Sequence, residues 1–160
     1  MVKAIFWDND GVLVDTERLY FLATQHVLAT VGIPLTKDDY IELFLVQGKG
    51  AWHLAEAKGV FPNAIAELRH ERNRLYSTLL SQQPLIIDGV RKVVDVLHRT
   101  YVMGIVTSSR QDHFTLIHRS TNLLPYFRFV LTANDYTQSK PHPEPYLLAA
   151  ERSGTARKSA

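Results

Sequence analysis

Cysteine is absent from this chain of 160 residues, which excludes a disulfide framework and any thiolate metal site. Also missing is an excess of one charge. Its 18 Lys and Arg are scattered against 16 Asp and Glu, with no basic run of the kind that tracks nucleic acid. No apolar stretch approaches the roughly 18 residues of a membrane span. The opening "MVKAIFW" turns acidic at Asp8, so a signal peptide is not expected. The seven histidines show no ligand spacing such as His-x-x-x-His and read as ordinary. The expectation is a soluble, cytoplasmic protein that binds neither nucleic acid nor membrane. At 46% hydrophobic it can bury a real core, and its length suggests about one domain.

What the chain does have is three short apolar runs: Val2–Trp7, Tyr101–Val106 and Phe127–Thr132. None alternates cleanly between apolar and polar residues, the pattern of strands covered on both faces of a parallel sheet. Helical patterns separate them. "GVRKVVDVLHRT" puts Val90, Val93, Val94 and Leu97 on one face with Asp88 as a candidate N-cap. "QDHFTLIHRS" repeats the pattern through Phe114, Leu116 and Ile117, and "HPEPYLLAAERSG" starts on prolines and stops at Gly154. Strand–helix alternation of this kind implies an α/β fold, a Rossmann-like parallel sheet.

The stretch between the first two runs reads as almost wholly helical and is too long for an ordinary crossover. It is expected to be an inserted helical cap over residues 16–85, with residues 1–15 and 86–160 forming the core. Within it, Leu19, Leu22, Ala23, His26 and Val27 share a face, Thr36 and Asp39 form a capping box, and Asn63 is a candidate cap.

Ligands of open parallel sheets bind beyond the carboxyl ends of the strands. The first run ends in Asp8-Asn9-Asp10-Gly11, the second in Thr107-Ser108-Ser109, and a loop after the third holds Lys140. A carboxylate pair, hydroxyls and an ammonium suit phosphoryl transfer: one Asp as nucleophile, a second as proton donor and acceptor, the others holding phosphate oxygens. A divalent cation such as Mg²⁺ would relieve repulsion between carboxylate and anionic substrate. In the insertion, Gly48 and Lys49 of "VQGKGAW" are the best candidates for substrate specificity.

"DNDGVLVDTE" resembles the nucleophile loop of the haloacid dehalogenase superfamily, in its phosphatase and β-phosphoglucomutase-like branch with a helical cap. "GIVTSS" and "KPHPEPYLLAAERSG" resemble that family's second and lysine motifs, in the expected order. The resemblance implies a Mg²⁺-dependent phosphatase of small phosphorylated metabolites, with a phosphotransferase as the alternative. Asp8 would be the nucleophile and a metal ligand. Asp10 would be the general acid/base, with its carbonyl on Mg²⁺. Thr107, Ser108, Lys140 and the backbone N–H groups near Asn9 and Asp10 would hold phosphate.

Asn9 stands where the family usually has an apolar residue. The family also continues past the lysine helix into a fourth strand whose acidic pair completes the metal site, whereas this sequence ends in "GTARKSA". The expectation from that difference is a truncated chain, an exposed edge at Val2–Trp7 open to self-association, and an inactive fragment as the second hypothesis.

Overall fold

The structure is a computed structural model and describes residues 2–155. The chain forms two compact units, one from Met1–Thr16 with Gln83–Ala160 and the other from Glu17–Gln82.

In the first unit, β1 (Ala4–Trp7), β2 (Val102–Val106) and β3 (Phe129–Leu131) form a parallel sheet in the order β1-β2-β3. The central β2 is buried from Met103 to Val106, which is why "MGIV" carries no polar residue. Parallel strands need crossovers, supplied here by α5 (Val90–Leu97) and α6 (Gln111–His118), while α7 (Glu144–Ser153) follows β3. Ala149 and Leu148 of α7 pack against Val106 and Leu131, with Phe6 and Phe129 alongside.

Gly104 in β2 faces the ring of Phe129. A Cβ at Gly104 would lie 2.3 Å from Phe129 Cζ and within 2.8 Å of both Cε atoms, so the whole ring would have to move. Gly104→Ala is therefore expected to destabilise the fold by about 1–3 kcal/mol, the usual cost of overpacking. Chemical denaturation measures it, and an unchanged midpoint would contradict the packing.

The second unit is helical: α1 (Glu17–Thr30), α2 (Lys37–Tyr40) running into a wider helical turn at Ile41–Val46, α3 (Trp52–Ala57) and α4 (Pro62–Leu80). α1 packs on α4, and Arg72 of α4 lies 4.5 Å over the Tyr20 ring while donating to its hydroxyl at 2.5 Å. A second cluster gathers Leu28, Ile33, Leu35, Tyr40, Ala51, Ala55 and Ile65. Burial and the Glu17 carboxylate, to which the Tyr40 hydroxyl donates, push that phenol well above its ordinary pKa.

Several local expectations are corrected. Gly89, not Asp88, is the N-cap of α5, and α4 starts on Phe61 and Pro62 rather than on Asn63. The buried face of α1 carries Thr24 and Leu28 where Leu22 and His26 were expected; the latter two are exposed. The Thr36–Asp39 capping box is present in both directions. Among the described residues no helix is long and apolar enough to cross a membrane.

Candidate active site

The site begins where β1 stops. Past Trp7 the Asn9 carbonyl accepts N–H groups from Val12, Leu13 and Val14 at 3.2, 2.8 and 3.2 Å, and the Gly11 N–H donates to the Val14 carbonyl at 2.8 Å. This tight reversal needs a positive φ at Gly11, 75°. The returning segment is pinned: Asp15 N–H donates to the Leu85 carbonyl and Ile87 N–H to that of Leu13. Thr16 is thereby held back at the strand end, where its hydroxyl donates to Asp10 Oδ1 at 2.5 Å.

The motif after β2 meets the same carboxylate. Asp10 Oδ2 accepts the Ser109 hydroxyl at 2.6 Å and the Thr107 hydroxyl at 3.3 Å. Thr107 is fully buried, its Oγ1 accepting the Ser109 N–H at 3.0 Å, and its carbonyl accepts the Tyr136 hydroxyl at 2.7 Å. Asp8, by contrast, is exposed. Its Oδ1 accepts the Asn9 N–H at 2.7 Å and pairs with Lys140 Nζ at 3.0 Å, while Nζ also donates to the Val106 carbonyl at 3.2 Å. Ser108 is exposed beside it, taking the Ser139 hydroxyl at 3.2 Å.

Behind the two acids lies a buried polar chain. Asn9 is 0% exposed and His118 of α6 only 5%. His118 Nε2 lies 2.7 Å from Asn9 Oδ1, and Nδ1 lies 2.8 Å from the Thr121 hydroxyl. Burial pulls the imidazole down to about pKa 4, with Asp10 nearby opposing the shift.

The structure therefore gathers Asp8, Asp10, Thr107, Ser108 and Lys140 at one edge of the sheet. Asn9 differs: its side chain is sealed in the core, so only its N–H could serve phosphate, and that N–H is on Asp8. Gly48 and Lys49 sit in the second unit, on a turn where Lys49 is exposed and its N–H donates to the Leu43 carbonyl at 2.9 Å. Among the described residues no group of three or more His, Cys, Asp or Glu is arranged to hold a metal.

A family model described as haloacid dehalogenase-like hydrolase matches residues 5–160. The chain belongs to that family. Among its relatives is a phosphorylated carbohydrates phosphatase of Thermotoga maritima, 33% identical over 156 residues, covering 94% of this chain and 70% of that protein. A β-phosphoglucomutase of Bacillus subtilis is 28% identical over 164 residues, covering 93% and 69% respectively. A crystal structure of a family hydrolase of subfamily IA, variant 1, from Geobacter sulfurreducens superposes with a TM-score of 0.68 at 25% identity, covering 96% of this chain and 73% of that one. By family the chain is a hydrolase.

The sequence motifs place Ser109 at the site but do not single out Thr16, Tyr136 and His118. A signal for the last was present: a polar Asn9 in an apolar position needs a buried partner. His118 also sets a testable pH dependence. Its folded pKa of about 4 lies below the ordinary value of 6.5, so between these values the unfolded chain binds more protons. Stability is then full above pH 6.5 and falls as pH drops towards 4, by about 3 kcal/mol in all. His118→Gln should remove this component, seen as a flatter profile of urea midpoints from pH 7 to 4.5. Parallel profiles for the two proteins would contradict it.

Proposed function

We propose that the chain is a Mg²⁺-dependent phosphatase of small phosphorylated metabolites such as sugar phosphates, working through an aspartyl-phosphate on Asp8 in the cytoplasm. The observation that carries this reading is the Lys140–Asp8 pair at 3.0 Å, beside a second carboxylate ringed by Thr16, Thr107 and Ser109. On this reading the exposed Asp8 carboxylate, held by the Lys140 ammonium, is the nucleophile, and the hydroxyl-ringed Asp10 carboxylate moves protons.

The donors at this edge are oxygens, which suits Mg²⁺, an ion commonly held by one or two carboxylates with waters and substrate phosphate. Asp8 and the Asp10 carbonyl would hold it, and when bound it would neutralise charge on the phosphoryl oxygens.

The residues divide the work as follows. Lys140 shifts from the Asp8 carboxylate to the incoming phosphoryl oxygens, joined by the Thr107 and Ser108 hydroxyls. An Asp8 oxygen attacks phosphorus, the ester P–O bond breaks, and the proton on Asp10 passes to the departing alkoxide. Asp10, now a carboxylate, takes a proton from water as that water attacks phosphorus. The bond from phosphorus to the Asp8 oxygen breaks and inorganic phosphate leaves. The helical unit Glu17–Gln82 would act as a cap, with Gly48 and Lys49 of its exposed turn selecting the substrate.

The relative named β-phosphoglucomutase favours a second reading, in which the phosphoryl group returns to a sugar instead of water. Hydrolysis of an aryl phosphate with Mg²⁺, with chelator, and with Asp8→Asn tests the first. Turnover lost in both controls is expected. Equal rates in the chain and the variant would end the phosphatase reading.

A further inference from the structure

We propose that the buried Asn9–His118 pair is a positioning device for Asp10, aiming the N–H₂ end of the Asn9 amide at the Asp10 carboxylate. The inference rests on the reading of Asp10 as the acid/base.

An Asn side chain has two ends of similar size and opposite hydrogen-bonding character. Placed next to an acid that must give up a proton, its N–H₂ end can hold one carboxyl oxygen while the other carries the proton, whereas its carbonyl end would compete with the leaving group for that proton. Here Asn9 Nδ2 is 3.4 Å from Asp10 Oδ2. What decides between the ends lies on the other side of the amide. With the N–H₂ end on Asp10, Asn9 Oδ1 faces the ring and can only accept, which pairs it with a proton on His118 Nε2, 2.7 Å away.

A buried imidazole held near pKa 4 is neutral at pH 7 and has a single N–H. Its Nδ1 is therefore an acceptor, and it takes the Thr121 hydroxyl at 2.8 Å in preference to the His118 carbonyl, the hydroxyl's other acceptor, at 3.4 Å. The resulting chain is directional. Thr121 O–H donates to His118 Nδ1, His118 Nε2–H donates to Asn9 Oδ1, and Asn9 Nδ2–H points to Asp10. Each donor polarises the next.

The anchors of this chain are buried. Thr121 is 2% exposed, and α6 holds His118 against the ring of Phe114, 4.4 Å between centroids. An apolar residue at position 9 could fill the same space without aiming anything. A second anchor is the Asn9 main chain, whose carbonyl collects three N–H groups of the reversal and whose N–H meets Asp8. Asn9 thus touches both acids while His118 fixes its rotamer and its amide orientation. His118 is a positioning residue: it acts only through Asn9.

The test compares His118→Phe, which keeps a flat apolar ring and removes the donor, with His118→Gln, whose side-chain N–H₂ can replace Nε2–H. Both are assayed as the full chain on two esters, p-nitrophenyl phosphate and glycerol phosphate. An alkoxide leaving group needs a well-placed acid far more than a nitrophenolate does. His118→Phe is expected to lower kcat/KM about tenfold for glycerol phosphate and less than about threefold for p-nitrophenyl phosphate. His118→Gln should restore most of the loss, and inhibition by inorganic phosphate should stay unchanged throughout.

Equal losses on both esters, or no rescue by Gln, would overturn the proposal. If His118→Phe fails to fold, the double variant Asn9→Leu with His118→Phe replaces both polar partners together. It is expected to fold and still to show the ester-selective loss; selectivity equal to the parent's would count against positioning. Nitrogen-15 spectra of His118 give a readout that needs no turnover. A neutral Nε2–H tautomer at pH 7 is expected, and an Nδ1–H or doubly protonated ring overturns the inference. A chain that hydrolyses neither ester would sink the phosphatase reading, while the tautomer alone would still decide the orientation of Asn9.

Discussion

Replacing Asp8 with Asn is expected to lower the rate of phosphate-ester hydrolysis by about 10⁴-fold or more, the scale at which loss of a covalent nucleophile is felt. The variant keeps size and shape at an exposed position, so its fold should survive. The Asn9 N–H and Lys140 that now meet Asp8 Oδ1 would find the amide oxygen of the new side chain. What disappears is the anionic oxygen able to bond to phosphorus. The split that identifies the role is a collapse in kcat with substrate binding retained, measured by steady-state kinetics and by protection against thermal unfolding. A variant within about tenfold of the parent would mean that another group attacks phosphorus.

Asp10→Asn is expected to cost about 10²–10⁴-fold, the usual share of general acid–base catalysis. An amide can still meet the hydroxyls of Thr16, Thr107 and Ser109 that now donate to the carboxylate, but it cannot exchange a proton. The loss in kcat/KM should be larger for an alkyl than for a nitrophenyl ester, because kcat/KM reports the steps through transfer to Asp8. A loss equal for both esters would assign Asp10 to structure and metal binding instead.

The two variants separate roles that the sequence already suggested. Asp8, Asp10, Thr107 and Lys140 were legible because each follows a strand-like apolar run or lies in the loop after one, and a parallel sheet brings those ends together. The strands themselves were legible because β2 is buried on both faces and carries no polar residue from Met103 to Val106.

What escaped was decided by tertiary contacts. Leu22 and His26 fit a helical stripe as well as Thr24 and Leu28 do, and only packing of α1 onto its neighbours selects the second pair. Asp88 and Asn63 have good capping side chains, yet backbone geometry at Gly89 and Phe61 sets the helix starts. Ser109 and Thr16 reach Asp10 across sequence gaps of 99 and 6 residues, pairings no local pattern encodes. His118 was hidden for the same reason, 109 positions from Asn9.

The central claim is that Asp8 carries the phosphoryl group during turnover. Its most direct test is rapid acid quenching of the chain with Mg²⁺ and an aryl phosphate, followed by mass spectrometry of the peptide around Asp8. A phosphoryl group on Asp8 that hydroxylamine removes is expected, absent from Asp8→Asn. Turnover with an unmodified Asp8, or a phosphoryl group on another residue, would contradict it.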